Sequence, residues 1–152
     1  MKDYKNNSIQ HPKYLFHGSP KKLEVVEQRQ AYDSNHNSYN NDCAVFLTSS
    51  FLMASAYAFK DKIKALSVGL DWRFEIGYDY KNDNVYVQMD NVIVDDDIEG
   101  YIYVFMFDEK YEHQKKSSQY KCHESIKPSD VVKVRFADFK EYYDINRNIN
   151  KK

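Results

Sequence analysis

Residues 43–66 read CAVFLTSSFLMASAYAFKDKIKAL, a stretch in which an apolar segment runs directly into a helical pattern. Residues 43–47 are rich in strand-forming side chains, and Thr48, Ser49 and Ser50 then offer hydroxyl groups that cap a helix. Apolar and small side chains recur at helical spacing over residues 51–66, which gives one face that packs on a sheet: Leu52, Ser55, Ala56, Phe59 and Ile63. We therefore expect a strand, then a helix, with a sheet beneath the helix.

Strand patterns flank this unit on both sides. Before it, residues 13–17 predict a short strand that ends in a turn over Gly18, Ser19 and Pro20, and the polar residues 33–42 predict a loop. After it, alternating apolar residues predict strands over residues 72–76, 85–89, 92–94 and 101–107, with turns at residues 82–84 and 95–100. A last strand is expected over residues 131–136. One helix followed by a run of strands predicts an α+β fold.

Composition favours a single domain. The 152-residue chain is 42% hydrophobic and 16% aromatic, which suits one core, whereas the polar residues 1–11 and 146–152 predict mobile ends.

The net charge is −1, so the chain lacks the overall positive field that drives non-specific nucleic-acid binding. No apolar run reaches the ~20 residues that cross a bilayer, and the first ten residues do not form a secretory signal. The expected location is the cytoplasm.

No metal site is expected. Cys43 and Cys122 are the only cysteines, and they lack the CxxC or Cys/His spacing of a zinc site, so we expect two free thiols. The aspartates at residues 95–97 lack the DxDxDG spacing of a calcium loop, which predicts a solvated turn instead.

Three segments carry the candidate chemistry. They are YLFHGSP at residues 14–20, AVFLTSS at residues 44–50 and SAYA at residues 55–58. A first strand ends in His17 and Gly18, a second strand carries Phe46, and Tyr57 follows on the helix eleven residues later. In this order the set resembles the His-Tyr-Glu variant of the ADP-ribosyltransferase superfamily. The resemblance covers about residues 14–136 and implies split antiparallel sheets with one main helix after the second strand.

The resemblance also implies a binding site for NAD, the substrate of that family. His17 is expected to hydrogen-bond a ribose, and Gly18 to offer backbone groups to the nicotinamide carboxamide. Phe46 and Tyr57 are expected to hold the nicotinamide ring between them. Phe46 stands where the family has Tyr, a change that keeps the ring that stacking requires. Ser19 belongs to the same predicted site.

Two roles have competing candidates. The family's third signature residue is a carboxylate on a late strand, and either Gln119 or Glu124 aligns with it. A Gln supplies hydrogen bonds but no negative charge, so Glu124 in the site predicts an enzyme, whereas Gln119 predicts slow or absent catalysis. The pyrophosphate of the dinucleotide is expected to meet either Arg29 or the pair Lys21 and Lys22.

The predicted function is NAD binding, with transfer of ADP-ribose to a protein or nucleic-acid acceptor or hydrolysis of NAD. The candidate catalytic residues are His17, Phe46, Gln119 and Glu124. One alternative is a catalytically silent binding module with the same fold. Another is an unrelated α+β domain in which His17 caps a turn and Phe46 and Tyr57 are packing residues. The first, second and late strands must be neighbours for any of the site roles to hold.

Overall fold

The computed structural model describes residues 3–26, 29–30 and 43–146. The strands and the helix, in chain order, are β1 (Tyr14–Ser19), β2 (Arg29–Gln30), β3 (Cys43–Thr48), α1 (Phe51–Leu66), β4 (Arg73–Asp79), β5 (Asn84–Asp90), β6 (Glu99–Met106), β7 (Glu112–His113), β8 (Gln119–Cys122), β9 (Asp130–Arg135) and β10 (Asp144–Asn146). Short 3-10 turns at Phe136–Asp138 and Lys140–Tyr142 lie between β9 and β10. The predicted α+β class, with mostly antiparallel strands and one main helix, is confirmed.

The strands form two sheets. The larger sheet has the order β7-β8-β3-β1-β6-β9, with β2 added to β3, and its pairs are antiparallel. The smaller sheet is the β4–β5 hairpin with β10 added to β5 in parallel. The first strand, β1, thus lies inside the larger sheet, between β3 and β6. Both β1 and β8 are neighbours of β3, which is the arrangement that the predicted site requires.

The helix α1 starts and ends where its caps and periodicity predict. The Ser50 hydroxyl oxygen accepts a hydrogen bond from the backbone N–H of Met53 at 3.1 Å, which satisfies one of the free amide groups of the first turn. In the described part of the chain no helix has the length and apolar character needed to cross a membrane.

Two glycines allow α1 to lie very close to the larger sheet. A Cβ added at Gly18 would stand 1.9 Å from the carbonyl oxygen of Ala54, and one added at Gly100 would stand 2.7 Å from the Cβ of Ala58. The backbones of β1 and α1 therefore meet directly at Gly18, whereas at Gly100 only the methyl group of Ala58 lies between β6 and α1.

Two apolar clusters cover the two faces of the larger sheet. The first lies between this sheet, α1 and the smaller sheet, and its buried members include Phe16, Phe51, Phe59, Met89, Ile102 and Phe136. The second covers the opposite face, and its buried members include Leu15, Val45, Leu47, Tyr103, Phe105 and Tyr120. Residues along β1 and β6 alternate between the two clusters, as the period of a strand requires, and β3 contributes Val45 and Leu47 to the second.

Several predicted boundaries differ from the structure. The turn predicted at Gly18 is wrong, because β1 continues through Ser19, which pairs with Tyr101 of β6. Residues 92–94 lie outside the strands, and the final predicted strand ends at Arg135, before a 3-10 turn. The loop predicted over residues 33–42 lies outside the described residues.

The N-terminal segment packs on the domain from residue 3 onward, whereas its polar composition predicts a frayed end over residues 1–11. Tyr4 is 7% exposed, and its hydroxyl donates a 2.6 Å hydrogen bond to the carboxylate of Asp130. The amide of Asn7 donates to the carbonyl oxygens of Ser49 and Tyr14 at 2.8 and 2.9 Å. These long-range contacts are not visible in the local composition.

Candidate functional site

The larger sheet separates between β1 and β3. Within their described lengths the two strands pair at one position, Phe16 with Thr48. Farther back along β3, Ala44 pairs with Arg29 of β2. Phe46 lies between these two pairing points. At such a separation, backbone groups take partners other than the neighbouring strand, because buried carbonyl and amide groups must be satisfied.

The imidazole of His17 spans this separation. Its Nδ1 atom lies 3.0 Å from the carbonyl oxygen of Phe46. A carbonyl oxygen only accepts hydrogen bonds, so Nδ1 carries the proton, and in the neutral ring Nε2 is the acceptor nitrogen. The hydrogen bond fixes the orientation and the tautomer of the ring. Because His17 alternates with Phe16 and Gly18, which face α1, its side chain projects from the opposite face of the sheet, as do Leu15 and Tyr103, the pairing partner of His17. Its contact with Phe46 is therefore with the backbone, and the structure does not bring the imidazole onto the face of the Phe46 ring.

The helix α1 runs alongside β1 in the same direction and therefore antiparallel to β3. At the start of α1, the rings of Phe16 and Phe51 meet edge to face at 5.3 Å. Farther along, Gly18 lies against the backbone of Ala54 and Ala58. The helix thus leaves the end of β3 and returns over the sheet toward the level of His17 and Gly18.

This return brings Tyr57 to the level of Phe46. From Phe51 to Tyr57 the helix rises about 9 Å, and Phe46 lies about 7 Å back along β3 from Thr48. The 11-residue spacing between Phe46 and Tyr57 therefore has a geometric basis in a strand followed at once by an antiparallel helix.

Tyr57 also lies on the side of α1 that faces β3 and β8. Met53, one turn earlier on the same side of the helix, has its Sδ atom 3.5 Å from Oγ1 of Thr48 and 3.2 Å from Oγ of Ser118. Tyr57 is 39% exposed, yet desolvation by the surrounding protein raises the pKa of its hydroxyl.

The strand β8 supplies the late-strand position next to β3. In its register Gln119 is opposite Thr48 and Lys121 is opposite Phe46. Directly opposed residues of an antiparallel pair project from the same face of the sheet. This is the face that α1 covers, because Thr48 is also opposite Phe16, a member of the cluster beneath α1. Gln119 and Lys121 therefore share a face with Phe46.

Glu124, the other candidate for the carboxylate position, lies elsewhere. It follows the end of β8, its side chain is 66% exposed, and its carboxylate lies 3.4 Å from Nζ of Lys110. Together with Lys110, Cys122 and His123 it lines a shallow depression. Cys122 packs in the cluster on the opposite face of the sheet from Phe46. Of the two candidates, Gln119 is the one on the same face as Phe46.

Lys121 is the residue that the sequence reading missed. Its side chain is only 4% exposed, and its Nζ lies 3.4 Å from Oε2 of Glu112 in the neighbouring strand β7. A lysine this buried is uncommon unless its charge is paired. The face predicted to carry the catalytic carboxylate thus carries Lys121 opposite Phe46, and Glu112 opposite Lys121. The period of two along β8 was the available signal, since Gln119 and Lys121 must project to one face.

The remaining candidate residues of the nucleotide site lie at the end of β1, just after it and in β2. Ser19 is buried at the end of β1, and its Oγ accepts a hydrogen bond from the backbone N–H of Lys21 at 3.2 Å, which is a turn-stabilising contact. Lys21 and Lys22 are exposed. Only the backbone of Arg29 is described, so contact of its side chain with a phosphate stays a prediction.

Two of the three aspartates at residues 95–97 take part in surface ion pairs, and Asp95 accepts a hydrogen bond from the backbone N–H of Asp97 at 2.8 Å. Asp96 lies 3.1 Å from Nζ of Lys140, and Asp97 lies 2.6 Å from a guanidinium nitrogen of Arg135. Across the described ranges, no group of three or more His, Cys, Asp or Glu side chains is placed to hold a metal ion. These contacts link the turn before β6 to the end of β9 and the turn after it.

Together, these elements define an α+β domain with mostly antiparallel sheets and one main helix. No protein-family model, curated protein or solved structure matches the chain.

Proposed function

We propose that this chain binds NAD in a cleft similar to that of the ADP-ribosyltransferases and holds the dinucleotide without cleaving it. The observation that carries the proposal is the 3.0 Å hydrogen bond between Nδ1 of His17 and the carbonyl oxygen of Phe46. It joins the two segments to which the resemblance assigns the ribose and the nicotinamide ring. It does so at the point where β1 and β3 separate.

The proposed binding mode uses one residue from each of three elements. The nicotinamide ring lies between Phe46 of β3 and Tyr57 of α1, since aromatic rings stack favourably in offset geometry. The His17 side chain belongs to the other face of the sheet, so in this mode the ribose reaches its imidazole through the separation between β1 and β3. The partial exposure of Tyr57 supports this mode because it leaves the ring accessible to a ligand.

The charges on the face of Phe46 favour binding over cleavage. Loss of nicotinamide from NAD develops positive charge on the ribose, and a nearby negative group lowers the barrier. That face carries the amide of Gln119 and the ion pair between Lys121 and Glu112, whereas Glu124 is exposed elsewhere. An amide adds no charge, and the carboxylate of Glu112 is paired with an ammonium rather than directed at a developing cation. We therefore place the silent binding module ahead of transfer to a protein or nucleic-acid acceptor.

Isothermal titration of the purified protein with NAD tests the binding site. His17→Ala and Tyr57→Ala are each expected to weaken binding at least tenfold, or about 1.4 kcal/mol. His11→Ala and Tyr142→Ala are matched controls, because both side chains are exposed and lie outside the proposed cleft. The absence of binding at millimolar NAD, or equal losses in the controls, would contradict the proposal.

Release of nicotinamide tests the claim that NAD is held intact. Protein at high concentration incubated with NAD is expected to release nicotinamide no faster than buffer does. Release that disappears in His17→Ala would establish NAD glycohydrolase or transferase activity instead. Binding and cleavage are thus judged by separate measurements.

A further inference from the structure

We propose that β4 is an interaction surface for a second copy of this chain, whose own β4 pairs with it antiparallel and joins the two smaller sheets into one. β4 lies at the edge of the smaller sheet, and among the strands that the structure describes β5 is the one that pairs with it. A strand at an edge presents a row of backbone N–H and C=O groups to which another strand can add. The surface is separate from the proposed nucleotide site, whose residues lie on β1, β3, α1 and β8.

This edge lacks the features that usually prevent strands from adding to a sheet. The seven residues of β4, RFEIGYD, include no proline, and all seven pair with β5 in one uninterrupted register. No bulge therefore bends the strand away from a partner. Phe74 and Ile76 pack against the core but are only partly buried, so the inner face of this edge is apolar.

Two-fold symmetry restricts the register in which two copies of β4 can pair. When two identical strands extend one sheet, the core-facing side of each stays on the same side of that sheet. Opposed residues of an antiparallel pair also share a face, whereas neighbouring residues along a strand do not. The two-fold axis must therefore pass through a residue position rather than between two residues. Only an axis at Ile76, the middle residue, lets all seven residues pair.

The side chains of β4 are complementary in this register. With the axis at Ile76, Arg73 of each copy is opposite Asp79 of the other. Phe74 is likewise opposite Tyr78, an aromatic pair on the inner face. Opposite charges and aromatic pairs at directly opposed positions stabilise an antiparallel pair. The interface thus contains two ion pairs and two aromatic pairs, one of each in either half.

The neighbouring registers bring like charges together. An axis at Glu75 places this glutamate opposite its own copy, and an axis at Gly77 places Glu75 opposite Asp79. Like charges in directly opposed positions are destabilising. In the register centred on Ile76, Glu75 is opposite Gly77, which has no side chain. The charges thus favour the same register as the strand length does.

The charged groups that form the proposed ion pairs are accessible. The Arg73 side chain is 62% exposed, and Asp79 is partly exposed. Arg73 lies 3.1 Å from a carboxylate oxygen of Asp90 in β5. A guanidinium group has five N–H donors, so the same arginine can also bind a carboxylate on a strand added at its other side.

The other long edge strand, β9, does not have this self-complementarity. Its six residues, DVVKVR, pair at most five at a time about a central residue, which is Val132 or Lys133. An axis at Val132 places Lys133 opposite Val131, and an axis at Lys133 places this lysine opposite its own copy. Neither register opposes unlike charges. Of the two long edges, β4 is therefore the one that fits a second copy.

Sedimentation velocity of the wild-type protein over a range of micromolar concentrations measures the association. A monomer–dimer equilibrium with a micromolar Kd is expected, because one short edge buries less surface than a stable interface does. Arg73→Asp and Asp79→Arg each place two like-charged pairs across the interface, so each is expected to raise Kd at least about tenfold. Lys115→Asp, an exposed charge reversal between β7 and β8, should leave Kd unchanged.

An equimolar mixture of the two charge variants separates the interface from changes within each copy. In a mixed dimer the introduced aspartate is opposite the introduced arginine, and the native Arg73 is opposite the native Asp79. The mixture is therefore expected to dimerise with a Kd within about threefold of the wild-type value, although each variant alone does not. Loss of the ion pair between Arg73 and Asp90 within one copy cannot produce this recovery.

The outcomes decide between the proposal and a free edge. A wild-type protein that sediments as a monomer throughout the micromolar range would overturn it, as would a dimer whose Kd both charge variants leave unchanged. No recovery on mixing variants that circular dichroism shows to be folded would overturn the register. If Asp79→Arg fails to fold, Asp79→Asn keeps an acceptor for the backbone N–H groups of Lys81 and Asn82 and should raise Kd about threefold. An unchanged Kd in that variant would also overturn the register.

Discussion

Replacement of Gly18 by Ala tests how closely α1 lies on β1. The added Cβ would stand 1.9 Å from the carbonyl oxygen of Ala54, 2.9 Å from its carbonyl carbon and 3.0 Å from the backbone nitrogen of Ala58. All three are main-chain atoms, so no side-chain rotation relieves the overlap. Ordinary contact begins near 3.4 Å, so the helix must move by roughly 1.5 Å relative to the strand.

The energetic cost follows from that movement. Overpacking a core costs about 1–3 kcal/mol, and a shift of α1 also disturbs the packing of Phe51 against Phe16. We expect the free energy of unfolding of Gly18→Ala to fall by about 3 kcal/mol. With a urea slope of about 2 kcal/mol per molar, the unfolding midpoint measured by circular dichroism falls by about 1.5 M.

Two other glycines provide controls. Gly69 has φ +88° and nothing within 4 Å of an added Cβ, so Gly69→Ala costs only the backbone strain, about 1 kcal/mol. At Gly100 the closest atom is the Cβ of Ala58, so Ala58→Gly should partly rescue Gly100→Ala, whereas no side-chain change at Ala54 can rescue Gly18→Ala. A Gly18→Ala protein within about 0.5 kcal/mol of wild type would refute this account of the helix–strand contact.

Three further predictions concern a buried hydroxyl, alkaline pH and catalysis. Tyr143→Phe is expected to raise the free energy of unfolding by about 1 kcal/mol, because the buried Tyr143 hydroxyl has no hydrogen-bond partner in the described chain; a loss of stability in calorimetry would contradict this. Burial and the hydrogen bond to Asp130 raise the pKa of Tyr4 to about 12. The unfolded chain therefore loses this proton first, stability falls as pH rises from 10 toward 12, and urea midpoints should fall less steeply in Tyr4→Phe; identical slopes would contradict the shift. The double variant Gln119→Glu and Lys121→Met places a carboxylate and no cation at these two positions on the face of Phe46. The rate of nicotinamide release from NAD should then rise at least tenfold. An unchanged rate would argue against Gln119 as the catalytic position.

The parts of the fold that sequence predicts best are those encoded by neighbouring residues. The helix Phe51–Leu66 has its predicted bounds because the Ser50 cap and the apolar period both act within a few residues. The β4–β5 hairpin turns at the predicted polar residues, where Asp83 adopts φ +50°. In each case the deciding contacts are short-range.

The predictions that fail do so where distant contacts override local signals. Gly18 and Pro20 favour a turn, but pairing with β6 extends β1 through Ser19, and Gly18 is needed for the approach of α1. The polar N-terminal segment is held by a hydrogen bond from Tyr4 to Asp130, far along the chain. Neither contact leaves a periodic or compositional signal in the sequence.

The sequence by itself determined the α+β class, the helix, most of the strands and the candidate residues His17, Phe46 and Tyr57. Only the tertiary structure decided that β8 and β1 lie next to β3, and that Gln119 and Lys121 rather than Glu124 share a face with Phe46. The physical reason is the sequence separation over which the deciding contacts act. Caps and periodicity act over a few residues, whereas strand order and register depend on the burial of the whole core, to which residues from distant parts of the chain contribute together.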